Sequence, residues 1–218
     1  MNYILMALSV FAGTAKSLLS KGLNKVNRNR FGLAISNTYI FFASFCAILL
    51  FSFITGLGTV SVFSVILGIL CAVTLMAGQF LYMEALSCGT VSVTAFIYSC
   101  GFLIPTVAGF IFWDEAVTLT KAAGILILLA AFFLISYDRQ RKTAVNGTKN
   151  PKNLKWKICS FAAMTSSGLL GIFQKVHQMS DHKDELCSYL LISMSGALIL
   201  SLALAFLSKK TSTALLRC

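Results

Sequence analysis

Charge is what this 218-residue sequence has least of: Asp, Glu, Lys and Arg make up 11% of it, against roughly 25% in soluble domains. Hydrophobic residues make up 57%, and the mean hydropathy is +0.83. A soluble fold is excluded and a membrane protein is expected. Acids are scarcest, seven against 18 Lys and Arg. A net charge of +11 in a soluble chain would suggest nucleic acid. Here, however, the basic residues lie between apolar runs, five within 16–30 and seven within 139–157. They read as cytoplasmic loop charges of a multispanning protein, with no nucleic-acid partner.

Other absences narrow the function. The seven cysteines include no C-x-x-C pair and fall mostly inside apolar runs, so neither a disulfide framework nor a metal site follows. No metal and no cofactor is expected. His177 and His182 flank Asp181, but a spacing of five does not put two imidazoles on one helix face. They read as solvated loop histidines. With no H-E-x-x-H, no pair of mid-span aspartates and no nucleophile beside an acid–base pair, the chain is not expected to be an enzyme. The N-terminal MNYILMALSVFAGTA lacks the Lys or Arg that precedes the apolar core of a secretory signal, and reads as a retained first span.

Apolar runs dominate what is present. A helix needs ~20 mainly apolar residues to cross the hydrocarbon, and continuous apolarity excludes a barrel. Seven spans are predicted: 3–20, 33–55, 60–83, 91–113, 118–137, 158–174 and 186–207. The fold class is therefore all-α, a polytopic membrane helix bundle. The first, third and fifth connections and the C-terminal tail hold nearly all the basic loop charge. Positive-inside then places them in the cytoplasm and the N-terminus outside.

The chain also resembles itself faintly. Aligning 13–27 with 168–182 pairs Gly13 with Gly168 and brings Lys21 to within a residue of Lys175, and Tyr39 and Tyr189 begin comparable runs. If the sixth span restarts the first, the unit has five helices and the second copy is inverted, a common carrier architecture.

Residues 85–136 carry Ala85, Leu86, Gly89, Ser92, Pro105, Gly109, Glu115, Leu119 and Gly124 in an order that resembles the EamA-type repeat of the drug/metabolite transporter superfamily. The resemblance covers 1–137 as one five-helix repeat and, after a basic cytoplasmic loop at 138–157, covers 158–218 as the first two helices and tail of a second. It implies a carrier of small organic solutes or metabolites working by alternating access, in the cell membrane, with the bacterial inner membrane expected. The typical ten helices imply that a homodimer or another partner supplies the missing half, or that the chain is a truncated, non-transporting interaction subunit. The bilayer and a small-molecule solute are the other implied partners.

Candidate pathway residues cluster in the fourth span. Thr94, Tyr98, Gly101, Pro105 and Ala108 recur at helical spacing on one face, and Ser92, Ser99 and Thr106 form a neighbouring stripe. Close packing and a cavity wall both account for such a stripe. Pro105 favours the wall, because it removes an amide donor and frees a carbonyl at membrane depth. Gln79 and Tyr82 in the third span, and Gln174 and Lys175 ending the sixth, complete the set. Glu84, in the connection 84-EALSCGT-90, is expected at the cytoplasmic interface and is the candidate proton-coupling carboxylate.

Overall fold

The computed structural model describes residues 18, 22, 30–56, 59–116, 118–146 and 152–215. Among these the regular structure is entirely helical. The helices are α1 (Arg30–Thr55), α2 (Val62–Cys88), α3 (Val91–Ser99), α4 (Leu103–Phe112), α5 (Leu119–Asn146), α6 (Lys152–Met179) and α7 (Leu186–Leu215). Short 3-10 turns at Cys100–Phe102 and Lys183–Glu185 join α3 to α4 and lead into α7. The expected span over 3–20 lies outside the described residues.

Turn chemistry sets the helix ends. Gly56, at φ +84°, takes the left-handed conformation that closes α1, and its N–H returns to the Ser52 carbonyl. Ser61 caps α2, accepting from the Ser64 N–H at 3.2 Å. Asp114, at φ 46°, lets the Glu115 N–H reach back to the Gly109 carbonyl and ends α4.

Among the described residues, four stretches are long and apolar enough to cross a membrane: Phe31–Ile54, Val62–Cys88, Val91–Phe112 and Lys183–Ser208. Only 17–39% of each apolar stretch is buried within the bundle. The rest is hydrocarbon surface that needs lipid around it. The expectation of seven spans is therefore met only as a helical membrane bundle. Of the two other predicted spans, the one in α5 has side chains described only to Ala131 and at Leu134, and the one in α6 falls outside the four.

Packing explains why. The helices lie in the order α1, α7, α2, α6, then α3 with α4, and α5 touches the bundle mainly through α3. Helix α6 thus lies between α2 and the α3–α4 span. Its outer stripe, Leu154, Ile158, Phe161, Thr165 and Leu169, is mainly apolar and exposed, while Trp156, Cys159, Ser160, Ala163 and Gly168 are buried. Small and hydroxylated residues suit a helix that meets other helices rather than lipid, and they lower its mean hydropathy. Helix α5 runs to Asn146 and α6 starts at Lys152, so both helices extend into the basic stretch 138–157.

The alternating chain directions give the bundle two ends. One, here the basic end, gathers the start of α1, the end of α2 and the start of α6. The other, the acidic end, gathers the turns containing Glu115 and Glu185. Tyr39 and Tyr189, which begin comparable apolar runs, sit in opposite surroundings: Tyr39 is exposed, and Tyr189 is fully buried between α2 and α6.

Candidate functional site

A proline in the third residue of α4 leaves no N–H to bond four residues back, and the chain there tightens into the 3-10 turn Cys100–Phe102. The Leu103 N–H donates to the Cys100 carbonyl. This break lies against the polar side of α6. A Cβ placed on Gly101 would come within 2.7 Å of the Met164 carbonyl and 2.9 Å of Ser167 Cβ, and one on Gly171 within 2.8 Å of the Pro105 ring. The backbones approach because neither glycine carries a side chain.

The stripe predicted on the fourth span faces this contact. Thr94, Gly101 and Ala108 are buried, and Tyr98 and Pro105 are half-buried. Thr94 donates to the Thr90 carbonyl at 2.8 Å and accepts from the Trp156 indole at 2.8 Å, so its proton and one lone pair are committed. Tyr98 packs on Tyr82 of α2, ring centroids 4.6 Å apart. Gln79 and Tyr82 are both buried, one turn apart on the inner side of α2. The structure therefore brings Tyr82, Thr94, Tyr98, Gly101 and Pro105 together around α6. Ser99 and Gln174 are not brought to this cluster. Ser99 is exposed and donates to the Ala95 carbonyl at 2.9 Å, and Gln174 is exposed near the end of α6. In the second stripe, Thr106 likewise donates to its own helix, at the Phe102 carbonyl.

Charged pairs hold both ends of α6. At the basic end Glu84, still within α2 rather than in a connection, is ion-paired with Lys155. Its carboxylate raises the Lys155 ammonium above the ordinary lysine value. At the acidic end Lys175 lies 2.6 Å from Glu115 and 5.1 Å from the Trp113 ring centre, and Lys121 lies 3.0 Å from the same carboxylate. Hydrogen bonds from Lys175 first, then Lys121, hold the Glu115 carboxyl below the usual range.

A second polar cluster at the acidic end was not legible in the sequence. Glu185 is buried, and its Oε2 accepts from Ser64 Oγ at 2.6 Å, Ser61 Oγ at 2.7 Å and the Ser61 N–H at 2.9 Å. His177 is not a solvated loop residue as expected. It lies in the last turn of α6, is fully buried, bonds Ser64 Oγ through Nε2 at 3.2 Å, and stacks on Tyr189 at 4.3 Å. Only His182 fits the expectation, half-exposed with Nδ1 3.4 Å from Glu185 Oε1. The missed signal was the helical reach of α6 beyond its apolar run, which carries His177 back into the bundle. Among the described residues no three His, Cys, Asp or Glu side chains are grouped to hold a metal ion.

These features define a membrane-embedded helical protein in which a polar helix packs beside a broken one. No family model, no curated protein and no solved structure matches the chain.

Proposed function

We propose that this chain is a carrier of small organic solutes, of the EamA drug/metabolite transporter type, working by alternating access. The observation that carries this reading is the α3–α4 break laid against the polar face of α6. Interrupted helices facing small and polar residues at membrane depth are how carriers expose backbone groups to a solute without exposing them to lipid. Tyr82 and Tyr98, with Gln79 nearby, supply the aromatic surface and the polar groups that a neutral or zwitterionic solute requires. Rocking of α3–α4 against α2 and α6 would change which end of the bundle is open.

In this reading the chain has seven spans, those of 1–137 forming a five-helix repeat and α6 and α7 opening an inverted second one. The basic end faces the cytoplasm of the cell membrane, and the N-terminus lies outside. Purified protein in liposomes, loaded with candidate amino acids, nucleosides and amines, should exchange at least one of them saturably. Absence of exchange for every solute, with monomer and dimer fractions both reconstituted, would defeat the proposal.

One observation favours a second reading, an interaction subunit that acts with a partner. Helix α5 leaves Leu119, Leu126, Ile127 and Leu134 exposed and touches the bundle mainly through α3. A stable dimer in mild detergent that also exchanges solute supports the carrier, whereas a dimer without exchange supports the subunit.

A further inference from the structure

The cluster around His177 lies outside the α3–α4 break and has no part in the pathway described above. Ser64 has one hydroxyl proton, and the carboxylate of Glu185, at 2.6 Å, can only accept. The same oxygen lies 3.2 Å from His177 Nε2, so Nε2 must be the donor in that contact. A neutral imidazole with Nε2–H has a bare lone pair on Nδ1, and Nδ1 is buried with no hydrogen-bond partner among the described residues. The bundle therefore encloses a basic nitrogen, with a carboxylate one hydroxyl away.

Each element packed on the ring contributes a definite group. Helix α2 presents Ser61 and Ser64, with Cys71 deeper beside Tyr189. Helix α7 presents the Tyr189 ring, and the turn before it presents Glu185 and His182. Lys175, on the same helix, is turned to Glu115. Burial pushes the His177 imidazole below the ordinary histidine value, Glu185 draws it back up, and His182 lowers it further.

From this geometry we infer that His177 is a buried proton-binding site, with Nδ1 taking a proton from water at the acidic end and Glu185 balancing the charge across Ser64. Protonation converts the lone pair into an N–H with no acceptor among the described residues, which loosens the seat of α6 on α2 and α7. Proton binding stands without the carrier reading; its use to open the acidic end in exchange for solute rests on that reading.

The chain contains two histidines, so a His182→Asn variant with 15N-labelled histidine in nanodiscs reports His177 alone. The expected spectrum at neutral pH is the Nε2–H tautomer, turning to imidazolium as pH falls below the free value near 6.5. Adding Glu185→Gln should lower the proton affinity about tenfold or more, the effect of removing one nearby opposite charge. An imidazole that stays neutral to about pH 4, or a titration indifferent to Glu185→Gln, overturns the inference. If the glutamine variant does not fold, the tautomer decides: Nε2–H supports the site, and Nδ1–H overturns it because no lone pair then remains on Nδ1. None of these readings depends on solute movement, so failure of the site and failure of the carrier are separately visible.

Discussion

Lys155 and Lys175 stand twenty residues apart on α6, each ion-paired with a glutamate from a different neighbour, Glu84 of α2 and Glu115 after α4. At 1.5 Å per residue the separation is about 30 Å along the helix, close to the thickness of the hydrocarbon core. The two pairs fix the depth of the most polar helix in the bundle and tie it to one partner at each end. A movement that opens either end must stretch or break the pair there.

The Glu115 pair should respond to acid. Its carboxyl is held below the ordinary value in the folded protein, so its contribution is present at neutral pH and fades as pH falls below the usual carboxylate range. Glu115→Gln should therefore melt earlier than the parent at pH 7 and at the same temperature once both are well below about pH 4. A gap that persists in acid would place the effect in packing rather than charge. Thermal midpoints in one detergent across that range settle the point.

Two glycines, one in the 3-10 break and one inside α5, should behave oppositely. A methyl on Gly101 meets the Met164 carbonyl, a backbone atom that cannot step aside, and Gly101→Ala should cost about 1–3 kcal/mol in a reversible unfolding assay. Gly124 on α5 has nothing within 4 Å of that position. Gly124→Ala should be neutral or stabilise by up to about 1 kcal/mol through helix propensity.

The Trp156–Thr94 hydrogen bond joins α6 to α3 at the basic end. Thr94→Val keeps the shape but removes the hydroxyl that accepts from the Trp156 indole, and a loss of about 1–2 kcal/mol is expected. Trp156→Phe in the Thr94→Val background should cost less than it does in the parent, because the bond to Thr94 is by then already gone. Strict additivity in this double-mutant cycle would deny the bond any energetic weight.

Orientation is open to a direct test. Single cysteines in a cysteine-free background, one at Lys149 and one at Asp181, should react oppositely with a membrane-impermeant maleimide in intact cells. The position near Asp181 should label and that near Lys149 should not, since basic loops remain in the cytoplasm. Labelling at Lys149 alone would invert the proposed topology.

Several sequence expectations survive in the folded chain, and each has a local cause. Apolar length located α1, α2, the α3–α4 span and α7, because a helix facing lipid must be apolar over most of its circumference. The helical spacing of Thr94, Tyr98, Gly101, Pro105 and Ala108 placed them on one inner face, and Pro105 marked the break. The extent of α6 was harder to read. Lys152, Lys155 and Lys157 on one side, and Gln174 and Lys175 on the other, end its apolar run before the helix ends, so nothing local shows that Trp156 and His177 are buried.

By itself the sequence determined the solvent. Its scarcity of charge and its long apolar runs require a bilayer and, with it, helices that satisfy their own backbones. Only the tertiary structure decided which helices would be neighbours and which polar groups would meet. Ser64 and His177 are 113 residues apart, and Ser64 and Glu185 are 121 apart. No local pattern brings such residues together; the packing of α6 and α7 against α2 does, by burying groups that then require one another as partners.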